Sequence, residues 1–299
     1  MRSQADSPTA PPGPADLQSR IAAWTAHATR LLQAGQGPDD GSAAREDATA
    51  HQRIAAPVAV AADPGPAADD RGFDRAKSGN TGILVTRLAA DGTLQPSEGD
   101  PDAPFGWFHG WRIIGGETRI DGGVYLGRKP REAIVVDMRR PGSLLRKVYD
   151  LWLERLLADK TVEQAREDLR AHVLSRVAQL VEDHMPYDEQ VVKRLDKQGF
   201  LRPDEPIDLD VFLAAKGGVC RHQVCFVGAV LERLIDGGWL RGKVSLERKF
   251  VSGWFSHAWV RLDAVDGAVF ILDPAQRRYA LLAALDPGSR MLYGRNGGA

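Results

Sequence analysis

A cysteine, a histidine and an aspartate in the last third of the sequence have the residue types and the order of a nucleophilic acyl-transfer site. Cys220 ends the sequence Gly-Gly-Val-Cys, His257 lies in Ser-His-Ala-Trp-Val, and Asp273 lies in Ile-Leu-Asp-Pro-Ala. In such a site a thiolate attacks a carbonyl carbon, a histidine moves the proton, and a carboxylate orients the histidine. We therefore predict that Cys220, His257 and Asp273 form a catalytic triad.

The nucleophile is predicted to lie at the beginning of a helix. Cys220 starts a helical stripe that ends before Gly237-Gly238, and its apolar members are Val224, Val227, Leu231 and Leu234. The first turn of a helix has N–H groups without intrahelical acceptors, and the helix dipole adds partial positive charge, so the thiolate is favoured there. The glycines before Cys220 are predicted to let backbone and substrate approach closely.

The other two residues are predicted to lie on neighbouring strands of a hairpin. Strand side chains alternate between faces, so His257 and Asp273 share a face only with the correct loop length. A two-residue turn at Asp266-Gly267 would place them on opposite faces. A three-residue loop centred on Val265 sets them directly opposite, and one centred on Asp266, with Gly267 left-handed, makes them diagonal neighbours. We therefore predict a three-residue loop of one of these two kinds.

Together the three motifs resemble the transglutaminase-like superfamily, which belongs to the papain-like cysteine proteases in the broad sense. The resemblance covers about residues 165–290 and implies that Cys220 is the nucleophile, His257 the base and acid, and Asp273 the residue that orients the histidine. It further implies an α+β fold in which the nucleophile's helix packs on an antiparallel sheet. The implied activity is acyl transfer from amide bonds of a protein or peptide, as a protease, deamidase or transamidase.

Two features differ from the family. Animal transglutaminases use calcium, but the sequence has no compact acidic cluster typical of a calcium loop. A papain-type glutamine before the cysteine is also missing, so a second oxyanion donor is not assigned. We expect no metal and no cofactor, because Cys220, His222 and Cys225 lack the spacing of a zinc site. His222 lies about 200° around the helix from Cys220 and Cys225 about 140°, so we assign both to structure.

Two other functions remain compatible with the motifs. An arylamine acetyltransferase-like enzyme has a similar cysteine, histidine and aspartate order, although its cysteine lies nearer the amino terminus and Leu-Asp-Pro does not follow. A catalytically inactive binding module could also have kept the fold. Reactivity of the thiol distinguishes this last hypothesis from an enzyme.

Composition limits the partners. Lys and Arg total 39 against 40 Asp and Glu, a balance that gives no electrostatic reason to expect nucleic acid or an anionic membrane. The two cysteines lie five residues apart, which is unsuitable for a disulfide framework and fits a reducing compartment. The first residues lack the apolar run of a Sec signal peptide. We expect a cytoplasmic protein, with export by another route left open.

The sequence divides into three ranges. Residues 1–71 are rich in Ala, Pro, Gly and Asp, so we expect a largely disordered tail with a possible short helix at 16–34. Residues 72–140 form a β-rich region with strands at 81–86, 123–126 and 133–136, and with aromatic residues at 107–111 that belong to a small core rather than to a lid. Residues 141–299 form the catalytic region. Its predicted helices begin near Leu144 and, with a Thr161–Gln164 capping box, near Val162, and Asp208 and Asp210 are candidate caps for a turn at 211–216.

Overall fold

The computed structural model describes residues 94, 95, 97, 99–116, 118–127, 132–203, 205–251 and 255–295. The predicted tail at 1–71, its helix at 16–34 and the strand at 81–86 lie outside these residues. Within them the chain has two β-sheets and six α-helices, which confirms the α+β class. No helix in this part of the chain is long and apolar enough to cross a membrane.

The first sheet has five short strands in sequence order. They are β1 (Trp107–Phe108), β2 (Trp111–Ile113), β3 (Gly123–Leu126), β4 (Ala133–Val136) and β5 (Pro206–Asp208). The strands pair alternately antiparallel and parallel, and β5 lies parallel to β4. The bounds of β3 and β4 confirm the predicted strands. Because β5 comes from the range 141–299, one sheet joins residues 107–136 to that range.

The aromatic sequence at 107–111 builds a small core, as predicted. Phe108 is fully buried and packs with neighbours on one face of the first sheet, namely Phe105, Ile113, Val124, Leu126, Ala133 and Val135. Between β1 and β2 the chain turns at His109 and Gly110, both of which have left-handed φ angles. Apolar burial therefore explains Phe108 and the partly buried Trp111.

Six helices follow or flank the strands. They are α1 (Leu144–Leu157), α2 (Val162–His184), α3 (Glu189–Lys197), α4 (Leu209–Ala214), α5 (Cys220–Asp236) and α6 (Pro287–Tyr293). The predicted capping box at the start of α2 is confirmed, since Thr161 and Gln164 exchange side-chain to backbone hydrogen bonds. The sequence analysis missed α3, which Asp188 caps through the N–H groups of Gln190 and Val191.

The predicted turn at 211–216 needs a correction. Helix α4 begins at Leu209, and Asp208 caps it by accepting from the N–H of Asp210. The Asp210 carboxylate instead accepts from the N–H groups of Leu144 and Leu145, at 2.7 and 2.8 Å, and so caps α1. Asp210 lies far from α1 in the sequence, so only the tertiary fold brings its carboxylate to the N–H groups at the start of α1, which have no acceptor within that helix.

The second sheet is an antiparallel meander of β6 (Gly242–Val251), β7 (Phe255–Ala264), β8 (Val269–Asp273) and β9 (Arg278–Leu281). Helix α5 packs on β6 and β7, and the alternate residues Ala258, Val260 and Leu262 enter the main core. Trp259 and Ile271 form a separate cluster with Tyr293 of α6. The sheet is therefore covered both by the helix that carries Cys220 and by the carboxyl-terminal residues.

Candidate active site

The Cys220 thiol lies at the first residue of α5, as predicted, and is free and partly exposed. The N–H groups of His222 and Gln223 donate to the Val219 carbonyl, whereas those of Cys220 and Arg221 belong to the first turn, where a helix supplies no acceptor. A Cβ on Gly217 would lie 2.7 Å from Val191, and one on Gly218 would lie 2.8 Å from His222. The two glycines therefore permit close packing within the protein itself at the start of α5.

A buried polar network fixes the start of this helix. His222 is fully buried, accepts the Val219 N–H at Nδ1 (3.0 Å) and donates from Nε2 to Glu132 (2.8 Å). Arg221 donates to the other oxygen of the same carboxylate. Burial opposes the charge on Glu132, but hydrogen bonds from His222 and Arg221 outweigh it and lower the pKa of the carboxyl to about 2. The assignment of His222 to structure is confirmed.

The hairpin brings His257 and Asp273 to the same face. Ala264 and Ala268 close the loop with a 2.8 Å backbone hydrogen bond, and Val265, Asp266 and Gly267 lie between them. Gly267 has φ +86°, and Val260 pairs with Leu272, so the triad partners are diagonal neighbours. This confirms the loop centred on Asp266 and excludes the two-residue turn. The Nε2–H of His257 donates to Asp273 Oδ2 at 2.5 Å.

The protonated imidazole of His257 is stabilised from two sides. Burial disfavours its charge, but hydrogen bonds to Asp273 and to the Cys220 side chain, together with their negative charge, raise the pKa to about 9. Because Nε2 is engaged by Asp273, Nδ1 is the ring nitrogen left for the thiol. The structure therefore brings together all three residues that the sequence singled out.

Tyr293 is a site residue that the sequence analysis missed. Its hydroxyl donates to Asp273 Oδ2 at 2.7 Å, the same oxygen that His257 contacts, and its side chain is 1% exposed. The N–H of Gln276 donates to Oδ1 at 3.2 Å. Pro287 and the cap residue Asp286 could have predicted helix α6, but no periodicity of so short a helix indicates which residue faces Asp273.

The approach to the thiol is bordered by residues 186–188. Tyr187 forms a parallel bridge with Gly218, and the N–H of Asp188 donates to the Gly218 carbonyl at 2.8 Å. The Tyr187 side chain is about half exposed and its hydroxyl donates to Glu189. Burial and the nearby Glu189 raise the pKa of Tyr187 to about 12, with a smaller contribution from Cys220. An exposed tyrosine thus lies within electrostatic reach of the thiol.

The second cysteine lies in a different environment from Cys220. Cys225 is fully buried, and burial raises the pKa of its thiol well above the ordinary range. Among the described residues, no group of three or more His, Cys, Asp or Glu side chains is arranged to hold a metal ion. Cys220 is therefore the more accessible of the two thiols.

Comparison of the chain with protein-family models, with curated proteins and with solved structures gave no match.

Proposed function

We propose that the protein is a cysteine-dependent acyl-transfer enzyme of the transglutaminase-like kind, acting on amide bonds of a protein or peptide. The observation that carries the proposal is the position of one imidazole, His257, between a buried carboxylate and a partly exposed thiol at a helix start. The helix start has N–H donors that favour the Cys220 thiolate, and the Asp273 carboxylate favours the His257 imidazolium.

In the proposed reaction the Cys220 thiolate attacks the amide carbonyl carbon and the carbonyl electron pair moves to oxygen. The N–H groups of the first turn of α5, which have no acceptor within the helix, stabilise the resulting oxyanion. The tetrahedral intermediate collapses to a thioester as the C–N bond breaks, and the His257 imidazolium gives its proton to the leaving amine. Neutral His257 then takes a proton from water or from an acceptor amine, which attacks the thioester and releases Cys220.

The choice of acceptor decides the reaction class. Water as acceptor gives proteolysis when the amide is in the backbone and deamidation when it belongs to a side chain, whereas an amine gives transamidation. The partly exposed thiol and the half-exposed Tyr187 beside residues 217–220 favour a substrate that lies across the surface, as a peptide segment does.

The test is mass spectrometry of peptides and proteins incubated with the full chain, with and without a small primary amine. Loss of ammonia, chain cleavage and amine addition give different mass changes, so one experiment distinguishes the three reactions. We expect Cys220→Ala to abolish the change and Cys225→Ala, the control that removes the buried thiol, to retain it. Activity that persists in Cys220→Ala would refute the proposal.

Thiol reactivity tests the alternative of an inactive binding module. Iodoacetamide reacts with thiolates, and an ordinary thiol with a pKa of about 8.5 reacts slowly at mildly acidic pH. An enzyme of the proposed kind labels at Cys220 near pH 6 much faster than a free cysteine peptide does. A rate equal to that of the peptide would favour the binding module.

A further inference from the structure

The carboxyl-terminal residues 286–295, here called the terminal segment, cross the outer side of the second sheet. Their charged and polar contacts with β6 anchor them: Lys249 donates to the carbonyl of Met291 at 2.9 Å, and Arg295 donates to Glu247 at 2.5 Å and to Ser245 at 2.9 Å. Apolar packing adds to this hold, since Tyr293 lies edge-on to Trp259 with ring centroids 5.2 Å apart. The segment is thus fixed at several points around Tyr293.

Tyr293 is the residue of this segment that reaches the site. Its hydroxyl and the His257 ring both donate to Asp273 Oδ2, at 2.7 and 2.5 Å. Asp273 is fully buried, so its charge is stabilised by hydrogen-bond donors rather than by water. Two donors on one oxygen share its negative charge, and a stronger bond to one weakens the bond to the other.

Ionisable side chains from several elements surround His257 and Tyr293. His257 faces Cys220 and Asp273, and Tyr293 faces Asp273 and Arg278. The Lys249 backbone pairs with His257, but its ammonium is directed to the carbonyls of the terminal segment. The groups around the pair, from α5, β6, β8, β9 and α6, are Cys220, Lys249, Asp273, Arg278, Tyr279 and Tyr293.

We propose that Tyr293 is a positioning residue: it fixes Asp273 Oδ2 and shares its charge, and thereby sets how strongly Asp273 holds protonated His257. The proposal rests on the proposed function, because it assigns Tyr293 a role in the same triad. The terminal segment is then part of the active site, and its anchors at Lys249 and Glu247 act through Tyr293.

The test follows the His257 proton without needing a substrate. Iodoacetate is an anion, so its reaction with the Cys220 thiolate is fast beside an imidazolium and falls as His257 loses its proton. Tyr293→Phe removes one donor from the buried carboxylate and leaves more of its charge to the imidazolium. We expect the midpoint of this alkaline decline to rise by about half a pH unit or more. Tyr149→Phe, which alters a buried tyrosine of α1, leaves the midpoint unchanged.

A second variant changes the strength of the donor without removing it. Site-specific 3-fluorotyrosine at position 293 is nearly isosteric with tyrosine but has a more acidic hydroxyl, so it shares more of the Asp273 charge. We expect the midpoint to fall, opposite to the effect of Tyr293→Phe. If Tyr293→Phe fails to fold, as judged by circular dichroism, this variant decides alone. Unchanged midpoints, or shifts of the same sign in both variants, overturn the role of Tyr293.

His257→Ala separates this proposal from the proposed function. If Cys220 is an ordinary thiol, the wild-type and His257→Ala proteins give the same pH profile, and both proposals fail. If His257→Ala loses the alkaline decline while both changes at position 293 leave it unmoved, the triad stands and only the role of Tyr293 is refuted.

Discussion

Asp273 combines complete burial with hydrogen-bond donors on both of its carboxylate oxygens. The His257 ring and the Tyr293 hydroxyl contact Oδ2, and the Gln276 N–H contacts Oδ1. A buried carboxylate without such donors would take up a proton and could no longer stabilise an imidazolium. The position of Asp273 immediately before Pro274 supplies part of this set, because the chain turns there and presents the Gln276 N–H.

The protonation of His257 predicts a change of stability with pH. The folded pKa of about 9 lies above the ordinary histidine pKa of 6.5, so the stabilisation is complete below the lower pKa and is lost as pH rises through the higher one. We expect the difference in unfolding free energy between the wild type and His257→Gln to be largest near pH 6 and to shrink by pH 9.5. Urea denaturation at intermediate pH values measures it. A difference that grows with pH would contradict the ion pair.

The proximity of Cys220, His257 and Asp273 could be predicted from sequence because the three residues lie in local patterns that also define their elements. Cys220 begins a helical stripe, and His257 and Asp273 lie on strands joined by a short loop whose length restricts the register. Tyr293 could not be predicted, since its contact with Asp273 depends on how the terminal segment crosses the sheet. Glu132 was missed for a similar reason: it meets α5 only through the packing of the first sheet.

At the scale of elements, the start of α5 is held by side chains of its own first turn and by the first sheet. His222 closes the turn by accepting the Val219 N–H. Glu132, the residue that precedes β4, accepts hydrogen bonds from both His222 and Arg221. The arrangement places Cys220 without a side-chain cap at Val219, whose side chain has no acceptor atom. The geometry of Cys220 therefore depends on a residue 88 positions earlier in the sequence.

Glu132→Ala tests this dependence. The substitution leaves the fully buried His222 Nε2–H without its acceptor and removes a partner of Arg221, so we expect a loss of about 2–4 kcal/mol in the free energy of unfolding. Glu132→Gln keeps an acceptor for His222, and its loss should be smaller. Glu163→Ala is the control, because it removes an exposed pair with Arg166 that is worth about 0.5 kcal/mol or less. Equal losses for Glu132→Ala and Glu163→Ala, measured by urea denaturation, would contradict the prediction.

Helix predictions succeeded where the apolar stripe is long and failed where it is short. Helices α1, α2 and α5 each have several buried residues at helical spacing. The nine-residue helix α3 buries only Val191 and Leu195, too few for a clear period. The sequence predicts that Asp210 caps its own turn, but Asp210 caps α1. A cap supplied from a distant part of the chain leaves no local sequence pattern.

At the scale of the whole molecule, the first sheet connects the chain across a long sequence distance. Strand β4 pairs with β5, whose residues directly precede α4, and the helix that carries Cys220 follows α4. Ile120, Ile134 and Val136 lie in the same apolar core as α2 and α5. Glu232 of α5 accepts from the N–H groups of Ile120 and Asp121, at 2.9 and 2.7 Å. Residues 107–136 thus complete the core around α5.

Two truncations test this connection. Removal of residues 1–71, whose composition cannot support a core, is expected to leave the thermal transition and the Cys220 labelling rate close to those of the full chain. Removal of residues 1–140 takes away the partner of β5 and the apolar cover of α5, so we expect an unfolded or aggregating product. Circular dichroism and labelling check both. A cooperative transition and fast labelling after the longer truncation would show that residues 141–299 fold alone.

The loop between β7 and β8 restricts which changes of length the gene can tolerate. Val265 is about half exposed, so its substitution should be accepted freely, whereas Gly267 has φ +86° and favours glycine. Loss or gain of one codon is different, because it moves every later residue of β8 to the other face and separates Asp273 from His257. Viable length variants should therefore differ by two residues, or by one together with a compensating bulge. In this loop, natural selection is expected to conserve the number of residues more strictly than the identity of Val265.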